Sequence, residues 1–300
     1  MIFIDYSQIV VASAFAFSSD FDKGKDTAKM VDILRHTVLT TLLSYKSKYG
    51  KQFGEIVIAC DGRNYWRKEV FPYYKAHRKG DRAASKTDWS AIFSIASQLR
   101  DEFKEVFPYK FILVDRAEGD DVIAVLAKYI QTNELRVMGL VEVPQEVLIL
   151  SSDGDYKQLH KYKNVKQWNP ILKKYVGKPD QHFLLEKLLT GDAGDGVPNV
   201  RSVDNQLVEG IRQSPITAKI KSAAFAQREE GKDILFADME MQRNYQRNRL
   251  LIDFDYIPQD ITDAIIGEYL AQTPVRDKGK IFNYFMTHRM KLLMERIQEF

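Results

Sequence analysis

The sequence predicts an α/β fold, in which a mostly parallel central sheet is flanked by helices and followed by a helical C-terminal domain. Three observations support this prediction. Short apolar runs rich in β-branched residues recur in the first half of the chain, as expected for strands that are buried on both faces. Helical patterns of apolar residues separate these runs, which favours parallel strands joined by helices. Beyond about residue 180, the chain has only helical patterns.

Four strands are predicted in the first half of the chain, and an acidic residue lies at or near the end of each. They are MIFID (1–5), EIVIACD (55–61), KFILVD (110–115) and EVLILSS (146–152). Two helices between them have one apolar face each, formed by Met30, Ile33, Leu34, Val38 and Leu42 and by Val122, Ile123, Leu126 and Ile130. A hairpin is expected at 165–176, with its turn at Asn169 and Pro170. We therefore expect an α/β core at 1–180, which includes a basic excursion at about 62–90, and a helical domain at 181–300.

Composition limits the class of protein. Of the 300 residues, 45% are hydrophobic, which is enough for a substantial core. No apolar run approaches the roughly 20 residues of a membrane span. Cys60 is the only cysteine, which excludes a disulfide framework and a thiolate metal cage. We expect a cytoplasmic protein with no membrane partner.

Two basic stretches, at 63–82 and 157–178, are interleaved with aromatic residues. The first has seven lysines and arginines against two acids, and the second has seven lysines and no acid. One such stretch alone is usually a solvated face. Two of them, with aromatic rings able to stack on unpaired bases, favour a nucleic-acid partner.

Acidic residues cluster where the predicted strands end. The set is Asp5, Asp61, Glu118, Asp120, Asp121, Asp153 and Asp155, with Asp192 and Asp195 farther along the chain. Because the carboxyl ends of parallel strands meet at one edge of a sheet, we expect the first seven acids on the same edge. Alone, Asp5 or Asp61 could equally be a turn residue or a helix cap, and Asp120 or Asp121 could simply complement a helix N-terminus. Asp153 and Asp155 alone could form an Asx-turn. The coincidence of these acids at four successive strand ends favours a joint role.

So many like charges at one edge require cations to balance them. Oxygen ligands without histidine or cysteine select Mg²⁺ or Mn²⁺. Two such ions are the usual device for hydrolysis of a phosphodiester. The sequence contains no G-x-G-x-x-G, Walker A, G-x-S-x-G or H-E-x-x-H motif, so the chemistries that depend on those motifs are not indicated.

The order of the acids resembles that of the flap endonuclease family of 5′ nucleases. The matching motifs are Glu118-x-Asp120-Asp121, Asp153-x-Asp155, Gly191-Asp192-x-x-Asp195 and Pro72-Tyr73-Tyr74-Lys75-Ala76-His77-Arg78. Together they cover about two thirds of the chain and are highly specific, although each is weak alone. The stretches SSDGDYKQLHKYKNVKQWNP and LLIDFDYIPQDI show a closer likeness to the T-even bacteriophage branch of that family. The resemblance implies the PIN-like fold of 5′ nucleases.

The resemblance also implies roles for individual residues. Asp5, Asp61, Glu118 and Asp120 would form the tighter metal site, aided by Asp121, and Asp153, Asp155, Asp192 and Asp195 would form the second. Lys75 and Arg78 would hold the scissile phosphate and neutralise the charge that develops on it. Arg67, Tyr74, Lys79 and Arg201 would contact the nucleic acid, with the Tyr74 ring stacked on an unpaired base.

The implied activity is that of a Mg²⁺-dependent 5′→3′ exonuclease and flap endonuclease, with Mn²⁺ able to substitute. Its substrates would be branched or nicked duplex DNA and RNA–DNA hybrid, and its task would be to remove RNA primers from lagging-strand fragments. A single-strand DNA-binding protein or a sliding clamp would be its protein partner. The enzyme would act as a monomer in the cytoplasm of a phage-infected host.

The chain departs from the family pattern at one place. The family continues its Gly-Asp-x-x-Asp with asparagine and a glycine-rich hairpin, whose backbone amides hold a duplex phosphate, often around a monovalent cation. Here Gly196 replaces the asparagine, and Asn199, Ser202 and Asp204 stand where glycines are expected. The loss of glycine argues against close backbone approach. Duplex binding would then depend on side chains such as Arg201 and Arg212.

Two other functions compete with the nuclease. The first is a binding module that holds branched DNA without cutting it, which would be expected to have lost several of the carboxylates. The second is a Mg²⁺-dependent phosphatase for small molecules, suggested by Asp-x-Asp after a strand. That function leaves both basic stretches unexplained, and Tyr156 and Lys157 follow the pair in place of the usual threonine or valine.

Overall fold

The computed structural model describes residues 1–133, 135–138 and 141–300 of the chain. Its strands are β1 (Ile2–Asp5), β2 (Ile56–Cys60), β3 (Lys110–Leu113), β4 (Leu135–Met138), β5 (Val141–Pro144), β6 (Val147–Leu150), β7 (Val165–Asn169) and β8 (Lys174–Tyr175). Six of them form one sheet in the order β3-β2-β1-β6-β7-β8, and β4 pairs with β5 apart from it. All pairs in the large sheet are parallel except β7 with β8. The predicted mostly parallel sheet and its hairpin are confirmed.

Twelve helices are present in the described part of the chain. They are α1 (Tyr6–Ala16), α2 (Thr27–Phe53), α3 (Trp66–Val70), α4 (His77–Ala84), α5 (Trp89–Val106), α6 (Gly119–Asn133), α7 (Phe183–Thr190), α8 (Ala218–Glu229), α9 (Met239–Ile252), α10 (Gln259–Ala271), α11 (Lys278–Thr287) and α12 (Lys291–Met294). Short 3₁₀ helices cover Ser18–Phe21, Asp155–Lys161, Ala193–Asp195, Phe254–Tyr256 and Ile297–Glu299. Among the described helices, none is both long and apolar enough to cross a bilayer.

The first compact unit contains the large sheet and is assembled from three stretches of chain, 1–63, 85–176 and 260–300. Strands β2 and β6 are buried along their whole length and β1 along its first three residues, which explains the uninterrupted apolar runs in the sequence. Ile281 and Phe285 of α11 belong to the same core as Leu34 and Phe107. Residues 260–300 therefore belong to the same compact unit as the sheet. The sequence pattern had predicted that they form part of a separate helical domain.

The second compact unit consists of 64–84 and 177–259. Its core combines Phe71 and Tyr74 from the basic excursion with residues of α7 and α9, such as Leu189 and Tyr245. Helices α3 and α4 lie within the excursion, so the segment that fitted the strand and helix pattern poorly is folded. It packs with the helices that follow residue 177 and carries its own part of the apolar core.

Candidate functional site

The carboxylates of the first unit follow four adjacent strands of the sheet. Asp5 ends β1, Asp61 follows β2, Glu118 and Asp120 lie beside the start of α6 after β3, and Asp153 and Asp155 follow β6. Since β3, β2, β1 and β6 are neighbours and run parallel, all of these acids lie along one edge of the sheet. The structure thus gives the acids the arrangement that the strand pattern predicted.

Two donors fix the carboxylate of Asp61. Its Oδ2 accepts a hydrogen bond from the Ser7 hydroxyl, and its Oδ1 accepts one of 2.8 Å from the backbone N–H of Gly119 at the start of α6. Gly62, the next residue, packs so tightly that a Cβ atom there would lie 2.1 Å from the carbonyl oxygen of Val114. The ends of β2 and β3 are therefore held together, and Asp61 is oriented by groups on α1 and α6.

A second set of bonds joins the segments that carry Asp5 and Asp153. The Oδ1 atom of Asp5 caps α1 by accepting from the backbone N–H of Gln8 at 2.9 Å. The Gln8 amide in turn accepts from the backbone N–H of Ser152 at 3.0 Å and donates to the Ser152 hydroxyl at 2.6 Å. Asp153 closes its own turn, because its Oδ1 accepts from the N–H of Asp155 at 2.8 Å. Gln8 therefore fixes the spacing between these two acidic segments.

Tyr156 supports the third acidic segment. It is fully buried, and its hydroxyl donates a 2.5 Å hydrogen bond to Oδ1 of Asp120. Burial, and then the nearby carboxylates of Asp120 and Asp5, raise the pKa of the Tyr156 phenol well above its ordinary value. The phenol therefore keeps its proton at neutral pH and acts as a donor to Asp120.

Glu118 and Asp121 are the most buried of the acids. Glu118 is 2% exposed and Asp121 is 0% exposed. Oδ2 of Asp121 accepts a hydrogen bond of 3.0 Å from the backbone N–H of Glu118. Asp121 therefore acts as a hydrogen-bond acceptor for a backbone amide at the start of α6. Its assistance to a metal site stays a prediction.

The chemistry of this donor set fits a hard divalent cation, because every candidate ligand is a carboxylate oxygen. Within the described residues, however, no three histidine, cysteine, aspartate or glutamate side chains are grouped so as to hold a metal ion. Hydroxyl and backbone amide donors orient Asp5, Asp61, Asp120 and Asp153 along this edge.

In the second unit, Asp195 is the centre of a cationic cluster. Its carboxylate accepts hydrogen bonds of 2.8 Å from Arg78 Nη2 and from the Tyr74 hydroxyl, and Lys75 Nζ lies 3.5 Å from its Oδ1. The backbone N–H of Lys75 also donates to the Asp195 carbonyl at 2.7 Å. The two sequence motifs of this unit therefore form one structure, in which both predicted phosphate-binding cations contact a predicted metal ligand.

Gly196 explains one departure from the family pattern. Its φ of +75° lies in the left-handed region, and a Cβ atom would stand 3.0 Å from the carbonyl oxygen of Tyr73. Asparagine tolerates this φ, but here the close approach of Tyr73 leaves little space for a side chain. Glycine at this position lets the two motifs pack together.

Asp192 is also paired within the second unit. Burial alone would raise its pKa, but the ammonium of Lys187, 2.9 Å from Oδ2, and the backbone N–H of Asp195 hold the pKa of this carboxyl below its usual range. Asp192 is therefore charged at neutral pH. The assignment of Asp192 and Asp195 to the second metal site stays a prediction.

Two of the predicted nucleic-acid contacts are corrected by burial. Tyr74 is 2% exposed and its ring belongs to the core of the second unit, so it is not available to stack on a base. Arg67 is 3% exposed, and its Nε donates to the Leu251 carbonyl at 2.8 Å. Aromatic and basic residues in a loop suggested exposure, but the loop has a folded core. Lys79 and Arg201 are exposed, as nucleic-acid contacts require.

The sequence did not identify the residues that position the acids. Ser7 and Gln8 follow Asp5 directly, and Tyr156 follows Asp155 directly, so proximity to an acid was the available signal. That signal is weak, because polar neighbours of an aspartate are common and their partners lie far away in the chain. Gln8 and Ser152, for example, are 144 residues apart.

Comparison with known families places two models on the chain. The model described as "5′-3′ exonuclease, N-terminal resolvase-like domain" matches residues 1–190. The model described as "T4 RNase H, C terminal" matches residues 178–300. The two matches together span the whole chain and overlap where the second unit resumes at residue 177.

A curated protein and two solved structures are similar to this chain. Ribonuclease H of Enterobacteria phage T4 is 34% identical to this chain, with 99% of this chain and 94% of that protein covered. The phage T5 5′-exonuclease with bound zinc ions is 16% identical and covers 90% of this chain and 98% of its own, with a TM-score of 0.61. The bacteriophage T5 flap endonuclease in complex with DNA and metal ions is 18% identical and covers 90% and 97%, with a TM-score of 0.56. At these identities, the two structures show that the fold is shared.

Proposed function

Because the chain belongs to the 5′-3′ exonuclease family, we propose that it is a metal-dependent 5′ nuclease that works both as a 5′→3′ exonuclease and as a flap endonuclease. It acts on branched or nicked duplex DNA and on RNA–DNA hybrid. Its task is to remove RNA primers from lagging-strand fragments during phage DNA replication, in the cytoplasm of the infected host. The observation that carries the proposal is the row of carboxylates along one edge of the parallel sheet.

The acids of the first unit form the catalytic edge. When bound, Mg²⁺, or Mn²⁺ in its place, supplies activation of water and stabilisation of the charge that develops on the phosphodiester oxygens. We assign its ligands to Asp5, Asp61, Glu118 and Asp120, with Asp121 in support, and those of a second ion to Asp153 and Asp155, with Asp192 and Asp195. Ser7, Gln8 and Tyr156 are positioning residues, because each bonds to an acid or to the loop that carries one.

Lys75 and Arg78 bind phosphate groups of the strand that is cut. Both cations are partly buried and contact Asp195, so each is already oriented toward an anion. A phosphate oxygen offers the same charge and hydrogen-bond geometry as a carboxylate oxygen. In the transition state, the two cations neutralise charge that develops on the scissile phosphate. Lys79 and Arg201, which are exposed, add contacts to the nucleic-acid backbone.

The protein partner, a single-strand DNA-binding protein or a sliding clamp, docks on the last helices, and the nuclease itself is a monomer. Phe282, Met286 and Leu292 are 45%, 54% and 67% exposed, so they supply apolar surface there. Deletion of these helices would remove Ile281 and Phe285 from the core of the first unit. Phe282→Ser is therefore the cleaner test, and unchanged partner binding by this variant would contradict the docking site.

The experiment that tests the nuclease is a time course on a primer-template with a 5′-labelled flap, with Mg²⁺ or with EDTA. Asp153→Asn is the test variant, since an asparagine oxygen still accepts the hydrogen bond from the N–H of Asp155. Asp88→Asn is the matched control, because Asp88 caps α5 through the same kind of bond and lies outside the acidic edge.

The proposal expects short 5′ products with Mg²⁺ for the unchanged protein and for Asp88→Asn, and none for Asp153→Asn or with EDTA. Binding of the flap, measured in EDTA, should be retained by all three proteins. If the unchanged protein binds the flap but releases no product with any divalent ion, the chain is a branched-DNA-binding module instead. If it hydrolyses small phosphate esters and ignores the flap, it is a phosphatase.

A further inference from the structure

The guanidinium of Arg247 is enclosed by the turn at residues 198–204 in the second unit. Its side chain is 9% exposed. A guanidinium has five N–H donors in a planar fork, and here these donors meet five acceptors within 3.3 Å. The acceptors are Asn248 Oδ1 at 3.0 Å, Asp204 Oδ1 at 2.5 Å, Asn244 Oδ1 at 3.2 Å and the carbonyl oxygens of Pro198 at 2.7 Å and Asn199 at 3.3 Å.

Two asparagines of α9 complete the enclosure. Asn244 and Asn248 are 1% and 0% exposed. The Asn244 amide donates to the carbonyl oxygens of Val200 and Ser202 at 3.1 and 3.2 Å. The Asn248 amide donates to the carbonyl oxygen of Pro198 at 3.0 Å. Four carbonyl oxygens of the turn therefore point toward one face of α9 and bond to its side chains.

The backbone amides of the turn are also satisfied internally. Five successive N–H groups, from residue 199 to residue 203, donate within the unit. Their acceptors are Gln213 Oε1, the Leu189 carbonyl, Asn199 Oδ1, the Asn199 carbonyl and Gln206 Oε1, in that order along the chain. A phosphate bound by these amides would have to displace side-chain and main-chain acceptors that already hold them. The turn is therefore not arranged as a backbone anion site.

These residues do not fit the monovalent cation that the family resemblance implies for this hairpin. A metal ion there would need carbonyl oxygens, and those of Pro198 and Asn199 already bond to a permanent positive charge. Burial of a guanidinium is costly unless all of its donors are paired. All five N–H donors of Arg247 are paired here. The anionic partner, Asp204, stands at a position where the family pattern has glycine.

We infer that Arg247 is the resident cation of the 198–204 turn, so that the turn keeps its shape without a monovalent metal ion and holds the duplex through side chains. This inference rests on the proposed binding of duplex substrates. Arg201, an exposed residue of the turn whose Nη1 donates to the Pro215 carbonyl at 2.8 Å, is the first such side chain. Arg247 itself does not contact the substrate and is a positioning residue.

The test compares duplex affinity in chlorides of K⁺, Na⁺, Li⁺ and tetramethylammonium at equal ionic strength. A labelled nicked duplex is titrated in EDTA, so that no cleavage occurs, and Kd is read by fluorescence anisotropy. The Kd of the unchanged protein should agree within about twofold among the four salts, because only counterion release from phosphates remains. A Kd that is about fivefold or more tighter in K⁺ than in tetramethylammonium would overturn the inference.

Substitution of Arg247 supplies an independent arm. Arg247→Met leaves Asp204 without its buried cation, so we expect the unfolding midpoint to fall by about 5 °C or more. Arg243→Met is the matched control, since Arg243 contacts the same carboxylate from one turn earlier but its side chain is 57% exposed. Its midpoint should change little. Equal small shifts for both variants would contradict the role of Arg247.

The results of these two experiments distinguish a failure of this inference from a failure of the proposed function. If Arg247→Met does not fold, the comparison of salts with the unchanged protein still decides whether the turn needs a monovalent metal ion. A protein that binds duplex equally in all four salts but cuts nothing with Mg²⁺ would contradict the nuclease and leave this inference in place. A protein that cuts flaps but binds duplex only in K⁺ would contradict this inference alone.

Discussion

The hydroxyl of Tyr156 donates a 2.5 Å hydrogen bond to Oδ1 of Asp120, across 36 residues of sequence. The bond joins the 3₁₀ helix after β6 to the first turn of α6, and each of these elements carries candidate metal ligands. Because Tyr156 is fully buried, its position is fixed by packing. Asp120 therefore receives a rigid partner that determines where its second oxygen points.

Tyr156→Phe should weaken metal binding while it keeps the fold. Loss of a partner that orients a metal ligand typically weakens metal affinity by about tenfold or more, so the Mg²⁺ concentration for half-maximal cleavage should rise by this factor. Tyr109→Phe is the control, because Tyr109 is equally buried and its hydroxyl has no hydrogen-bond partner among the described residues. Equal Mg²⁺ requirements for the two variants would show that Tyr156 only fills space.

Gln8→Ala should separate the loop of Asp153 from the start of α1. Two hydrogen bonds to Ser152 are lost, at about 1 kcal/mol each, so unfolding by urea should show a loss of about 2 kcal/mol. The cleavage rate should fall by more than the loss of folded protein accounts for, since a misplaced ligand weakens metal affinity by about tenfold or more. Gln52→Ala, which removes an exposed glutamine bonded to Glu146, is the control and should change neither quantity. Unchanged cleavage by Gln8→Ala would remove Gln8 from the positioning residues.

Lys75→Met and Arg78→Met should lower the cleavage rate more than they lower affinity. Removal of a group that stabilises transition-state charge typically costs about 10² to 10³ in rate. Single-turnover cleavage with Mg²⁺ gives the rate, and anisotropy in EDTA gives the affinity. Lys232→Met, which removes an exposed lysine paired with Glu230 in the same unit, should leave both unchanged. If Kd rises as much as the rate falls, the two cations serve binding only.

Glu102 should make the stability of the first unit depend on pH in the acidic range. Burial acts to raise the pKa of Glu102, but hydrogen bonds from Tyr284 and Gln98 and the charge of Arg35 outweigh it and hold the pKa below 4.5. A depressed folded-state pKa means that the stabilisation is present above about pH 4.5 and is lost as the pH falls through the folded pKa.

Glu102→Gln removes that contribution. The variant should therefore melt below the unchanged protein at pH 7, and the gap should narrow as the pH falls below about 4.5. Thermal unfolding followed by circular dichroism between pH 3 and pH 7 measures both curves, in buffers chosen to span about this range. A constant gap across the whole range would show that the charge of Glu102 contributes nothing.

The strand ends could be predicted because a buried parallel strand has a distinct signal. The predicted strands 1–5 and 55–61 enclose β1 and β2 with an error of at most one residue at each end. The acids next to them followed from the same pattern. Helix α11 buries Ile281 and Phe285, but the helical spacing of apolar residues does not name the surface on which a helix packs. That is why residues 260–300 could not be assigned to the first unit.

The contacts of the positioning residues could not be predicted from the sequence for a related reason. Gln8, Tyr156 and Arg247 each have partners that are 36 or more residues away, and no local pattern records such a pairing. Tyr74 and Arg67 were misjudged because a basic, aromatic loop has the composition of a nucleic-acid contact whether or not it folds onto a core. Only the packing of residues 64–84 with α7 and α9 decides the matter.

Residues 260–300 close the core of the unit that begins at residue 1, and this has a consequence for synthesis on the ribosome. The strands emerge first, but the apolar surface that receives Ile281 and Phe285 stays uncovered until the last helices leave the exit tunnel. A prematurely terminated chain would expose that surface and be a target for chaperones and proteases. A fragment that contains the acids but lacks residues 260–300 would therefore leave part of this core without its cover.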